Sequence, residues 1–67
     1  MLQYTVEDWL SIVRAEYLEF PGMQLTRAQV QRLWNLDQAT CAAVIDALEA
    51  ERFLRRNNRD NYVRADA

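Results

Sequence analysis

The sequence has no histidine and no lysine, and only one cysteine, one glycine and one proline among its 67 residues. Without an imidazole and with a single thiol, it lacks a histidine general base, a Cys/His pair and a zinc ligand set. A chain of this length buries only about 60% of its unfolded surface, too little for a deep substrate cavity. These absences point to a binding module rather than an enzyme, with no metal and no cofactor. Paired carboxylates such as Glu16 and Glu19 read as a solvated helix face, because nothing stands ready to activate them. Cys41, set among Ala and Val, has no partner for an internal disulfide and reads as a small buried hydrophobe. No apolar run approaches the roughly 20 residues that cross a bilayer. The opening residues are acidic where a signal peptide is basic, so the expected location is the cytoplasm, with no membrane partner.

What is present suits a small core. Hydrophobic residues make up 51% of the chain and include two Trp, three Tyr and two Phe, while the scarcity of Gly and Pro argues against disorder. The formal net charge of -2 hides an asymmetry. Residues 1–51 carry three Arg against eight acids, or -5, whereas residues 52–67 carry five Arg against two Asp, or +3. An Arg-rich end on an acidic body points to contact with an anion.

Hydrophobic spacing predicts three helices, over about 5–20, 27–34 and 38–51, followed by a hairpin over about 53–65. Thr5 caps the first helix, with Glu7 and Asp8 in its first turn where the helix dipole favours acids. Val6, Trp9, Leu10, Val13, Tyr17 and Phe20 form its inward stripe, and Pro21-Gly22 ends it. Ile12 and Leu18 fall off that stripe. They are either scattered surface residues or part of a dimer contact with Met1, Leu2 and Tyr4. Met23-Gln24-Leu25 is a stub of strand. Thr26-Arg27-Ala28-Gln29 reads as a capping box opening the second helix, with Val30, Leu33 and Trp34 inward. Asn35 suits a left-handed turn, Asp37 caps the third helix, and Cys41, Val44, Ile45 and Leu48 form its buried face. Phe53 to Arg56 and Asn61 to Arg64 read as strands around a polar turn that pair with the stub. Trp9 and Trp34 are read as core, and Tyr62 as packing on one side of the hairpin.

The order helix, short strand, helix, tight turn, helix, hairpin resembles the winged helix-turn-helix superfamily over nearly the whole chain. The likeness is carried by Leu25-Thr26-Arg27-Ala28-Gln29-Val30, by the turn Leu33-Trp34-Asn35-Leu36-Asp37, and by residues 40–56, where a recognition-type helix runs into a wing. The expected fold is a single α+β domain over 1–67, mainly α, with three helices and a short three-stranded antiparallel sheet. One departure is Arg52, which stands where the family usually has Gly to close the third helix. A non-Gly residue there must accept a strained backbone or a different helix end.

The resemblance implies a small bacterial or phage-type transcriptional regulator that binds double-stranded DNA. Its third helix would enter the major groove, and its wing would follow the backbone or the minor groove, often in a dimer on a palindromic site. Helix one, with Ile12 and Leu18, is then the surface for a homodimer. On helix three, Gln38 is the one good reader of base edges and Thr40 lies near the helix start. Ala42 and Ala43 suit a thymine methyl or a protein surface equally, and Asp46 and Glu49 oppose phosphates. On the wing, Arg55, Arg56, Arg59 and Arg64, with Asn57 and Asn58, face an anionic backbone, Arg59 near the tip suits a narrow minor groove, and Arg27 and Arg32 on helix two add contacts. Two alternatives stand beside this reading. The arginines solvate an edge hairpin and pair with Glu49, Glu51 or Asp60, or the Ala-rich acidic face of helix three docks a protein partner.

Overall fold

A computed structural model describes residues 4–65. Its elements are α1 (Val6–Glu19), β1 (Leu25–Thr26), α2 (Arg27–Leu33), α3 (Gln38–Ala50), β2 (Leu54–Arg56) and β3 (Asn61–Arg64). The three strands form one antiparallel sheet in the order β1-β3-β2, so the last strand lies in the middle. Three helices beside such a sheet are compatible with a winged-helix shape. Met1 and Leu2, named for the dimer contact, lie outside the described residues, as does Asp66.

Local chemistry sets the helix starts. The Thr5 hydroxyl accepts from the Asp8 N–H at 3.1 Å, and the Thr5 N–H donates to Asp8 Oδ2 at 2.8 Å. Thr26 and Gln29 repeat the exchange at 3.1 and 2.8 Å, a reciprocal arrangement that satisfies two otherwise orphaned donors. Asp37 takes the extended N-cap backbone before α3 without a side-chain bond to the helix N–H groups.

The helix ends are equally specific. After α2 the Leu36 N–H donates to the Gln31 carbonyl at 2.8 Å and the Asn35 N–H to Arg32 at 3.3 Å, with Asn35 at φ 53. After α3 the Phe53 N–H donates to Leu48 and the Arg52 N–H to Glu49, both at 2.9 Å, with Arg52 at φ 63. Both are Schellman ends, which need a left-handed residue just past the helix. Of the two outcomes left open for Arg52, it therefore accepts the left-handed backbone in place of glycine. The first helix ends at Pro21-Gly22 as expected, set by the proline alone. Gly22 has no positive φ; the helix stops because Phe20 precedes Pro21 and is forced out of the helical region, to ψ 83.

The core joins Val13 and Tyr17 of α1, Val30 of α2, Leu36 of the turn, Cys41, Val44, Ile45 and Leu48 of α3, and Leu54 and Tyr62 of the sheet. Trp9 and Trp34 pack against it half-buried. Several inward assignments need correction. Val6 lies in the first turn of α1, and Phe20 has left the helical path, so both are exposed. Leu33 is 58% exposed while Leu36 is 7% exposed, because the Schellman turn ends the seven-residue α2 and folds Leu36 back over the core. Ile12 is half-buried and Leu18 exposed. The first strand is Leu25–Thr26 rather than 23–25, since Leu25 and Thr26 pair with Tyr62 and Asn61.

Candidate nucleic-acid interface

The wing is a short hairpin whose tip is held by one side chain. Asn57 Oδ1 accepts from the Arg59 N–H at 2.9 Å and the Asn61 N–H at 3.0 Å, the Asp60 N–H donates to the Asn57 carbonyl at 3.1 Å, and Asp60 stands at φ 61. This is a turn closed by a left-handed residue, the geometry that short hairpin loops favour. It leaves Asn58 and Arg59 exposed at the tip.

The arginines fall into two groups. Arg55 and Arg59 on the wing, Arg32 on α2 and Arg52 at the end of α3 are exposed and make no ion pair among the described residues. Arg55 pairs across the sheet with Val63, and the two line, with Gln24 and Met23, a shallow hollow of about 260 Å³. The other arginines are engaged. Arg56 Nε lies 3.8 Å from Asp60 Oδ1, one of the solvated pairings expected of an edge hairpin. Both groups are exposed, and such a pair is worth little. Arg14 pairs with Glu51, and the guanidinium carbons of Arg14 and Arg64 lie 5.6 and 5.7 Å from the Phe53 ring centroid. At that range cation–π attraction holds Arg64 against the core side of the sheet.

Arg27, the first residue of α2, joins three elements. Its Nη2 lies 3.2 Å from Asp46 Oδ1 on α3 and 3.1 Å from the Tyr62 hydroxyl on β3, and its guanidinium sits 5.7 Å from the Tyr62 ring centroid. The Tyr62 hydroxyl first, and the Asp46 carboxylate after it, raise its pKa above the ordinary arginine value. Sequence pattern placed Arg27 and Asp46 on neighbouring helices but did not join them, because a contact 19 residues apart depends on how α2 crosses α3.

The outward side of α3 presents Gln38, Ala39, Ala43 and Asp46 as exposed residues, with Thr40, Ala42 and Glu49 half-buried. Asp37, just before it, has its carboxyl held below the usual aspartate range, chiefly by the Thr40 hydroxyl. No arginine lies on α3 itself. Cys41 is buried, its Sγ 3.6 Å from the Arg27 carbonyl, and burial pushes its thiol pKa up. Behind Arg32, Leu25 and Leu33 line a more open, largely apolar hollow of about 410 Å³, a feature that the inward assignment of Leu33 concealed. Among the described residues no helix is long and apolar enough to cross a membrane. No protein-family model, curated protein or solved structure matches the chain.

Proposed function

We propose that this chain is a small winged-helix protein that binds duplex DNA as a transcriptional regulator of bacterial or phage type. The observation that carries the reading is the set of exposed, unpaired arginines on the wing, Arg55 and Arg59, held on a hairpin whose tip Asn57 fixes. Arg32 adds a further cation from α2. Base reading is light, resting on Gln38 with Ala42 and Ala43, since an α3 without arginine has few side chains that recognise base edges. Most of the affinity then comes from phosphates and depends steeply on salt, each neutralised phosphate contributing roughly -0.9 to the slope of log K against log salt.

A duplex-binding titration across about 50 to 200 mM salt tests this. The expected result is a steep negative slope that becomes shallower when Arg55 and Arg59 are replaced by Ala. No binding at the lowest salt, or affinity unchanged in the double variant, overturns the reading.

One observation favours a second reading. The exposed part of α3 carries Gln38, Ala39, Ala43 and Asp46, a face with no arginine to meet phosphates and with small side chains that let a protein surface approach closely. In that reading a partner docks on Ala39, Ala42 and Ala43. A pull-down repeated after nuclease treatment separates the two, since a partner held through DNA is lost on digestion and one held on α3 is retained.

A further inference from the structure

We infer that Asp46 acts as a clamp on Arg27 that lowers the protein's affinity for the phosphate backbone, so that the free protein withholds one of its cations. The inference rests on the duplex-binding reading and concerns how that site is restrained. Arg27 stands where α2 begins, beside the middle of α3 and the central strand. Three groups face its guanidinium: the Asp46 carboxylate at 3.2 Å, the Tyr62 hydroxyl at 3.1 Å, and the Tyr62 ring.

These contacts differ in what they do to a bound anion. Tyr62 is buried, with its own backbone carbonyl bonded to the Tyr17 hydroxyl, so it orients Arg27 without setting a carboxylate against it. Asp46 cancels the charge of Arg27, and as an acid on the α3 face it also repels phosphate directly. The Arg27 and Asp46 side chains are 43% and 67% exposed. A pair so open to water is weak, but it still competes with phosphate for Arg27, so that this cation is withheld while binding through the other arginines goes on. Glu49 lies one turn further along α3 and has no arginine partner among the described residues. It supplies an internal comparison, an acid on the same helix whose removal frees no cation.

The test measures anisotropy of a fluorescently labelled random-sequence duplex over a salt series, with wild type, Asp46→Asn, Glu49→Gln, Arg27→Gln and the double variant Arg27→Gln/Asp46→Asn. Asp46 is exposed and outside the core, and Gln at position 27 keeps an amide donor for the Tyr62 hydroxyl; circular dichroism checks that each variant is folded. Asp46→Asn is expected to tighten binding by about threefold to tenfold at low salt and to steepen the salt slope by roughly 0.9, one additional phosphate neutralised. Glu49→Gln gains less and leaves the slope unchanged, and the Asp46→Asn gain disappears in the Arg27→Gln background. If wild type binds but Asp46→Asn binds no tighter, or Glu49→Gln gains as much, or the gain survives without Arg27, the clamp is refuted while the duplex-binding reading stands. If neither wild type nor Asp46→Asn binds any duplex, both fall together.

Discussion

The Tyr17 hydroxyl donates to the Tyr62 carbonyl at 2.8 Å, across 45 residues of sequence, and ties α1 to the central strand of the sheet. Tyr17 is fully buried, and loss of solvation pushes its pKa from 10.0 up to about 12. Because the folded-state pKa lies above the unfolded one, this phenol's contribution is complete below about pH 10 and is lost as pH rises from there through 12. Urea unfolding across that range is expected to show stability falling by up to about 2–3 kcal/mol, the equivalent of the shift. Tyr17→Phe should flatten that part of the profile. At neutral pH it should cost about 1–2 kcal/mol, because the Tyr62 carbonyl loses its buried phenol donor.

Arg52 and Asn35 both hold left-handed backbone at Schellman ends, at φ 63 and φ 53, but they differ in how well they tolerate it. A long side chain with a Cβ pays roughly 1–2 kcal/mol there, while Asn is among the residues that visit the region readily. Glycine removes the strain but gives up more backbone entropy on folding, roughly 0.5–1 kcal/mol, which offsets part of the gain. Arg52→Gly is therefore expected to raise unfolding stability by about 0.5–1 kcal/mol, and Asn35→Gly to change it little, as read from denaturant midpoints at constant slope.

The elements legible in the sequence were those fixed by neighbours three or four residues apart. The Thr5 cap of α1, the capping box of α2, the buried face of α3 and the polar turn of the wing are all of this kind. Arg52 was legible too, as a departure from glycine whose cost could be named before its conformation was known. What periodicity misassigned lay at helix ends, where the wheel no longer applies: Val6 in the first turn of α1, Phe20 beyond it, and Leu33 at the close of α2; the burial of Leu36, in the turn, lay outside its reach. The arginine set of the candidate site was visible as composition. Its division into engaged and free side chains was not, because the pairings of Arg27 with Asp46 and Arg14 with Glu51 span 19 and 37 residues and depend on tertiary packing.

Leu33 and Leu36 should respond very unequally to truncation. Leu36 is 7% exposed and belongs to the core, whereas Leu33 is 58% exposed. Leu36→Ala removes buried methyl groups and leaves a cavity, for an expected loss of about 2–4 kcal/mol. Leu33→Ala should stay within about 0.5 kcal/mol of wild type, as surface changes usually do. Thermal melts of the two variants check this, and comparable losses in both would place Leu33 in the core after all.

Asn57 separates the positioning of the wing from its charge. Its side-chain oxygen accepts from the N–H groups of Arg59 and Asn61, so it fixes the tip that presents Arg59 while carrying no charge itself. Asn57→Ala leaves two backbone donors without that acceptor and lets the tip adopt other conformations, each of which must be lost again when the wing settles on a phosphate backbone. The expected outcome is a loss of duplex affinity of about threefold to tenfold at every salt concentration, with the slope of log K against log salt unchanged, because the number of phosphates neutralised is the same. Arg59→Ala should instead make that slope shallower by roughly 0.9. A matched salt series on the two variants distinguishes them, and a shallower slope in Asn57→Ala would mean that the loosened tip no longer delivers Arg59 to the backbone.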